Sequence, residues 1–282
     1  MPSQSINPSA PGSGSDALQR ARFALHNRRP QDAESIASEL LKADPRHSQA
    51  LSILGYALLM QGRAHDAIAT LEPAARSLRE PEIDTQLALA LRQAGQEEDA
   101  VAHLRRAIKR HPPFPPAFYE LGNLLFSMKR YEEAVEVLEG GLKTVPTPDL
   151  SVQLGHVFLA LKNYVGAKNS FSTALALAPN TASALWGMGK TYQGLGENRT
   201  AIDYFRRCLT LAPNDFGTLL NLGHSLLKVG DLDAGYESFR AAARGDQNRY
   251  AAVLTTLVKL DRSRFWLKPS AAAKFLRGDN RN

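Results

Sequence analysis

The sequence predicts an all-α protein built from helix pairs repeated along the chain, and three observations carry that prediction. First, the segments LSILGYALLMQGRAHDAIATLEPAAR, FYELGNLLFSMKRYEEAVEVLEGGL, LWGMGKTYQGLGENRTAIDYFRRCLTLAPN and LLNLGHSLLKVGDLDAGYESFRAAA align at a period of about 34 residues. Second, small residues recur in two columns: Ala33, Ala67, Ala100, Ala134, Ala167, Ala201 and Gly235 in one, and Ala21, Gly55, Ala88, Gly122, Gly155, Gly189 and Gly223 in the other. Paired helices approach closely only where neither presents bulk at the crossing. Glycine inside a helix costs about 1 kcal/mol against alanine, so its recurrence there implies packing. Third, the punctuation is in register. Gly62, Gly95, Gly196 and Gly230 stand where a first helix must end and reverse, and Pro45, Pro112, Pro146, Pro179 and Pro213 stand where a second helix must stop.

These columns resemble the tetratricopeptide repeat, a helix–turn–helix motif with large residues at positions 4, 7, 11 and 24, small ones at 8, 20 and 27, and often proline at 32. The resemblance implies a right-handed superhelical solenoid. Placing position 20 on the small residue that opens each second helix gives seven repeats without gaps, at 14–47, 48–80, 81–114, 115–147, 148–181, 182–215 and 216–249. Position 7 is then Leu54, Leu87, Leu121, Leu154, Met188 and Leu222 from the second repeat on, and position 24 is Leu71, Leu104, Leu138, Phe171, Phe205 and Phe239. These are core residues. The aromatic residue common at position 4 is present only as Phe118.

The ends depart from the pattern as the ends of a stack should. The first repeat is thin, with Arg20 at position 7 and Ala17, Ala24 and Ala37 where its neighbours are larger. Residues 1–13 read as a disordered tail. Residues 250–282 read as a capping helix, with Val253, Leu254, Leu257 and Leu260 covering the seventh repeat, followed by a basic tail. Within that tail Ser270 is expected to N-cap a short helix that stops at Gly278. Trp266 either folds onto the cap or marks a docking element, and the need to cover the last repeat favours the cap.

Of the 282 residues 44% are hydrophobic and 22% charged, which excludes an intrinsically disordered chain. The net charge of +6 is local: residues 250–282 hold seven basic and two acidic side chains, leaving 27 basic and 26 acidic in the rest. Nucleic-acid or membrane binding could rest only on that short tail, and it is the lesser expectation. One cysteine, Cys208, excludes an intrachain disulfide framework and points to a reducing compartment. No apolar run reaches the length of a membrane span and no leader is apparent, so a cytoplasmic location is expected.

No catalytic constellation is visible. The chain lacks GxxxxGK[ST], HExxH and GxSxG, and in GLGENRT around Gly194 and Gly196 the third glycine of a phosphate loop is replaced by Arg199 with no preceding strand. Cys208 occupies a small, buried position and reads as structural. His156 and His224 sit two repeats apart, roughly 20 Å with helix axes spaced by about 8–10 Å, too far to share a metal. Asn198–Thr200 has the form of a glycosylation sequon, a chance match in a cytoplasmic chain. No cofactor, metal or small-molecule substrate is therefore expected, and an enzyme or the helical part of a transferase is the least favoured class.

In the family, first-helix positions 2, 5, 6, 9, 12 and 13 face a concave groove, and the resemblance makes those positions the ligand candidates. They include Tyr56, Tyr119, Asn123, Gln153, His156, Trp186, Lys190, Gln193, Asn221, His224 and Lys228. Aromatic anchors interleaved with hydrogen-bonding groups suit a peptide surface. From Gln153 onward the strip is nearly continuous and basic, with Glu82, Glu120 and Asp149 as the acids at groove positions. Trp186, at position 5 rather than the core position 4, is expected to be exposed. Neither the lysine–asparagine order of the chaperone-tail binders nor the asparagine ladder of the glycosyltransferase-linked members is present. The expectation is a non-catalytic adaptor holding a segment of a partner protein, with self-association possible.

Overall fold

The computed structural model describes residues 11–244, 247–260, 265 and 268–277, and all regular structure among them is α-helical. The chain divides into two compact halves, residues 1–145 and 146–282. The N-terminal half holds α1 (Pro11–His26) and α2 (Pro30–Ala43), α3 (Ser48–Met60) and α4 (Ala64–Ser77), α5 (Pro81–Gln93) and α6 (Glu97–Ile108), and α7 (Pro115–Ser127) and α8 (Tyr131–Thr144). The C-terminal half holds α9 (Pro148–Ala160) and α10 (Tyr164–Leu177), α11 (Ala182–Gly194) and α12 (Asn198–Leu211), α13 (Phe216–Val229) and α14 (Leu232–Ala243), and finally α15 (Gln247–Lys259) and α16 (Pro269–Arg277).

Proline opens α2, α5, α7 and α9, where its missing N–H is no loss. Side-chain caps do the same work elsewhere: Asn163 accepts from the Gly166 amide at 2.9 Å, and Asp215 from the Thr218 amide at 2.7 Å. The four turn glycines have positive φ, between 75° and 89°. Arg28, Lys129 and Lys162 occupy the equivalent turns and adopt the same left-handed conformation, at φ 54°, 61° and 55°, although they carry a Cβ.

The two small columns serve different ends. Ala33, Ala67, Ala100, Ala134, Ala167 and Ala201 are wholly buried, so the second helices meet the first at alanine. The glycines of the other column instead face the large residue at position 24 of the same repeat. A Cβ on Gly122 would lie 2.6 Å from Leu138, and one on Gly155 would lie 2.6 Å from Phe171. Phe171 also abuts Gly187 of α11, so its ring is wedged between two consecutive first helices.

At the C-terminal end Val253 and Leu257 of α15 are buried in one cluster with Leu227, Tyr236, Phe239, Phe265 and Phe275, and Leu254 and Leu260 pack on its margin. Phe265 lies edge-on to Tyr236 at 5.5 Å and tilted against Phe275 at 4.9 Å. The expected capping role of Ser270 is corrected: α16 begins one residue earlier, at Pro269, whose fixed φ suits a first helical position, so Ser270 lies inside the helix. Trp266, the basic residues Arg262, Arg264 and Arg281, the stop at Gly278 and residues 1–10 lie outside the described residues.

Candidate functional site

In the C-terminal half, α11 packs against both α9 and α13, so three first helices form one wall. Lys190 and Gln193 project from adjacent turns of α11 toward Asn221, His224 and Ser225 on α13. The Lys190 ammonium donates to Gln193 Oε1 at 3.0 Å and Asn221 Oδ1 at 3.2 Å. Gln193 Nε2 has the Asn221 carbonyl at 3.4 Å, Ser225 Oγ at 3.1 Å and His224 Nδ1 at 3.1 Å within reach. Its two hydrogens serve two of these at a time. When it donates to His224, Nδ1 is the acceptor and the ring proton sits on Nε2. Asn221 is itself oriented by donating to the Gly217 carbonyl at 2.7 Å.

Lys190 is half-buried, and no carboxylate among the described residues lies within ion-pair distance of it. Burial pushes its amine below the usual lysine value. An ammonium held by neutral amides alone keeps unmet affinity for an acceptor.

His156 on α9 lies 5.8 Å from the Trp186 ring and edge-on to Phe171 at 5.3 Å. Burial lowers its pKa, so the imidazole is neutral at pH 7. Trp186 is not the exposed indole that its position suggested. It is half-buried against the cluster of Ala201, Ile202, Phe205, Leu222 and Leu226, and its Nε1 lies near Gly217. The reason is the start of α13, which lies over the ring where position 5 of a terminal helix would stay open. Gln153 is 7% exposed and belongs to the buried side of α9. Lys228 is placed apart, lining a recess with Asn198 and Arg199 at the start of α12.

The N-terminal candidates do not converge. Tyr56 is 43% exposed on α3, whereas Tyr119 and Asn123 are half-buried on α7, with α5 between the two helices. The acids of this wall are taken: Ser52 donates to Glu82 at 2.6 Å and Arg92 pairs with Glu120 at 3.1 Å. Cys208 is buried, with its Sγ 3.4 Å from the Ala182 carbonyl, and burial raises its thiol pKa, which suits a packing role. Among the described residues no group of three His, Cys, Asp or Glu side chains could hold a metal, and no helix is long and apolar enough to cross a membrane.

One polar centre escaped the sequence reading. Asp84 stands at position 4 of the third repeat, which is apolar in five of the other six repeats and serine at Ser151, and its side chain is 0% exposed. Arg106 reaches Oδ1 through Nη2 at 2.6 Å and Nε at 3.1 Å, Arg110 reaches Oδ2 through Nε at 2.8 Å, and His103 Nδ1 is 3.2 Å from Oδ1. Burial alone would raise the carboxyl pKa, yet the bonds from His103, Arg106 and Arg110 hold it below its usual value. The visible signal was the 103, 106 spacing, which sets a histidine and an arginine on one face of α6, with Arg110 following just past the helix end.

Models described as tetratricopeptide repeat match residues 18–78, 91–153 and 182–215. The chain belongs to the tetratricopeptide repeat family. Among curated relatives it is similar to small glutamine-rich tetratricopeptide repeat-containing protein 2 of Mycosarcoma maydis, 28% identical over 56% of this chain and 40% of that one. It is also similar to anaphase-promoting complex subunit 7 of Mus musculus, 30% identical over 33% of this chain and 17% of that one. The tetratricopeptide chain thus matches less than half the length of either relative. Among solved structures, the anaphase-promoting complex hetero-tetramer Cut9–Hcn1 superposes with a TM-score of 0.61 at 17% identity, over 96% of this chain and 55% of that one. PilF of Pseudomonas aeruginosa superposes with a TM-score of 0.58 at 20% identity, over 82% of this chain and 96% of that one. At these identities the likeness is one of fold.

Proposed function

We propose that the protein is a non-catalytic interaction scaffold whose α9–α11–α13 wall holds an extended or helical segment of a partner protein. The observation that carries this reading is the Lys190–Gln193–Asn221–His224 network beside the His156–Trp186 pair: oriented polar donors next to an aromatic surface, with a cation that lacks a counter-charge. A carbonyl or carboxylate of the segment would meet Lys190, and an apolar side chain would lie on the exposed edge of Trp186. In this reading residues 14–249 act as seven repeats, 250–282 close the stack, and the buried, unpaired Cys208 fits a reducing compartment such as the cytoplasm. The names of the relatives, one of them a subunit of a complex, agree with a scaffold role.

The test is a peptide-display selection against the full chain, followed by titration of the selected peptides against Lys190→Ala and Asn221→Ala. About tenfold or greater weakening by each is expected from loss of a charge-assisted hydrogen bond. Equal affinity of wild type and both variants would place the binding surface elsewhere.

A further inference from the structure

A second charged feature lies in the N-terminal half. The last turns of α4 and α6 and the residues just past their ends line an open recess of about 540 Å³, formed by Ala75, Arg76, Arg79, Arg106, Lys109 and Arg110. Five of these six side chains are cationic. The carboxylates bonded to them are Asp84, which holds Arg106 and Arg110, and Glu72, which pairs with Arg76 at 2.5 Å. The recess therefore carries an excess of three positive charges, and no carboxylate among the described residues pairs with Arg79 or Lys109. Basic residues near helix C-termini are ordinary complements of the helix dipole. That explanation does not account for a buried carboxylate that takes a core position and bonds two of the arginines.

The consequence of Asp84 is geometric. Arg110 is only 18% exposed and Arg106 is 47% exposed, and each spends its Nε on the carboxylate, so both guanidinium planes are set before any ligand arrives. Each guanidinium carries five N–H donors, and those not spent on Asp84 remain for a second anion. Holding the arginines in advance removes much of the ordering cost that flexible surface cations incur on binding.

We propose that this recess is a phosphoryl-binding site, formed by Arg79, Arg106, Lys109 and Arg110 with Asp84 as the positioning residue. The excess of three charges suits a multiply charged oxyanion better than a single carboxylate, and planar forks beside a point cation match phosphate oxygens. The group can be offered by a free polyphosphate or by a phosphorylated side chain of a partner protein. The chemistry is the same in both.

The experiment titrates the full chain, at fixed ionic strength near 0.15 M, with pyrophosphate and with a labelled peptide in phosphoserine and unmodified forms. Saturable one-to-one binding of pyrophosphate, of the phosphopeptide over its unmodified form, or of both supports the site, and which of the two binds identifies the source. The double substitution Arg79→Ala with Lys109→Ala removes exposed side chains that do not touch Asp84, so the fold is retained. It should weaken binding by about tenfold or more. Asp84→Asn should weaken it as well in samples whose circular dichroism is native, whereas Lys190→Ala should not. Absence of saturable binding overturns the proposal. Weak binding that the double substitution leaves unchanged also overturns it and marks a solvated basic surface only.

Discussion

Replacing Asp84 by asparagine keeps the shape of the side chain and removes its charge, and the structure fixes what that does. Arg106 and His103 approach one carboxylate oxygen and Arg110 approaches the other, so every neighbour of the group is a donor or a cation. An asparagine has one acceptor, and in either amide orientation its NH2 faces a guanidinium. Breaking a buried ion pair on one side costs about 3–5 kcal/mol. Here Arg106 is 47% exposed and can turn into water, whereas Arg110 at 18% cannot do so freely, which brings the expected loss to about 2–3 kcal/mol. The sign with pH follows from the direction of the shift. The folded carboxyl titrates below its usual value, so its stabilisation is full above the unfolded pKa near 3.8 and disappears as pH falls through the lower folded value. Urea unfolding of wild type and Asp84→Asn at pH 7 and near pH 3 should therefore show a difference of about 2–3 kcal/mol that shrinks in acid. A neutral substitution at pH 7, or a difference that persists unchanged near pH 3, would refute the account.

Trp186→Ala should lower stability by about 2 kcal/mol, less than the ~3–5 of a fully buried aromatic because the ring is half-buried, and an unchanged denaturation midpoint would return it to an exposed position. Lys129→Gly and Lys162→Gly place glycine where φ is already 61° and 55°, so each should stabilise by about 1 kcal/mol in urea titrations; loss of stability would mean that these side chains contribute packing outweighing the strain. Gly155→Ala sets a methyl 2.6 Å from the wedged Phe171 ring and should cost about 1–3 kcal/mol, with a neutral result showing that the ring has room to shift.

What could be read from the sequence was what volume alone decides. Alanine at position 20 and glycine at position 8 are visible without a structure because no larger residue fits, and the helix pairs followed from them. The left-handed turns at Arg28, Lys129 and Lys162 were not visible, because the chain accepts strain there rather than announcing the conformation with glycine. The Lys190–Gln193–Asn221–His224 network was legible as a polar strip. Its connectivity was not, since it depends on which amide faces which neighbour across α11 and α13. The exposure assigned to Trp186 failed because position 5 describes one helix, while its burial is set by the next. Asp84 was missed because a lone acid among apolar residues looks like surface, and its partners lie 19 to 26 residues downstream, on α6 and just past its end.

The wedging of Phe171 between Gly155 and Gly187 bears on how such a chain can be rearranged by recombination. Position 6 of the following repeat is Gln19, Ile53, Gln86, Glu120, Gln153 or Asn221 in the other repeats, and Gly187 alone in the repeat that follows Phe171. The α9–α10 pair as it packs here is thus fitted to a successor that offers glycine at that place, whereas Phe205, at the same position of the next repeat, precedes Asn221. Similar as they look in outline, the repeats are not interchangeable parts: their order is written into matched pairs of large and missing side chains, and a shuffled chain would have to evolve both members of a pair at once.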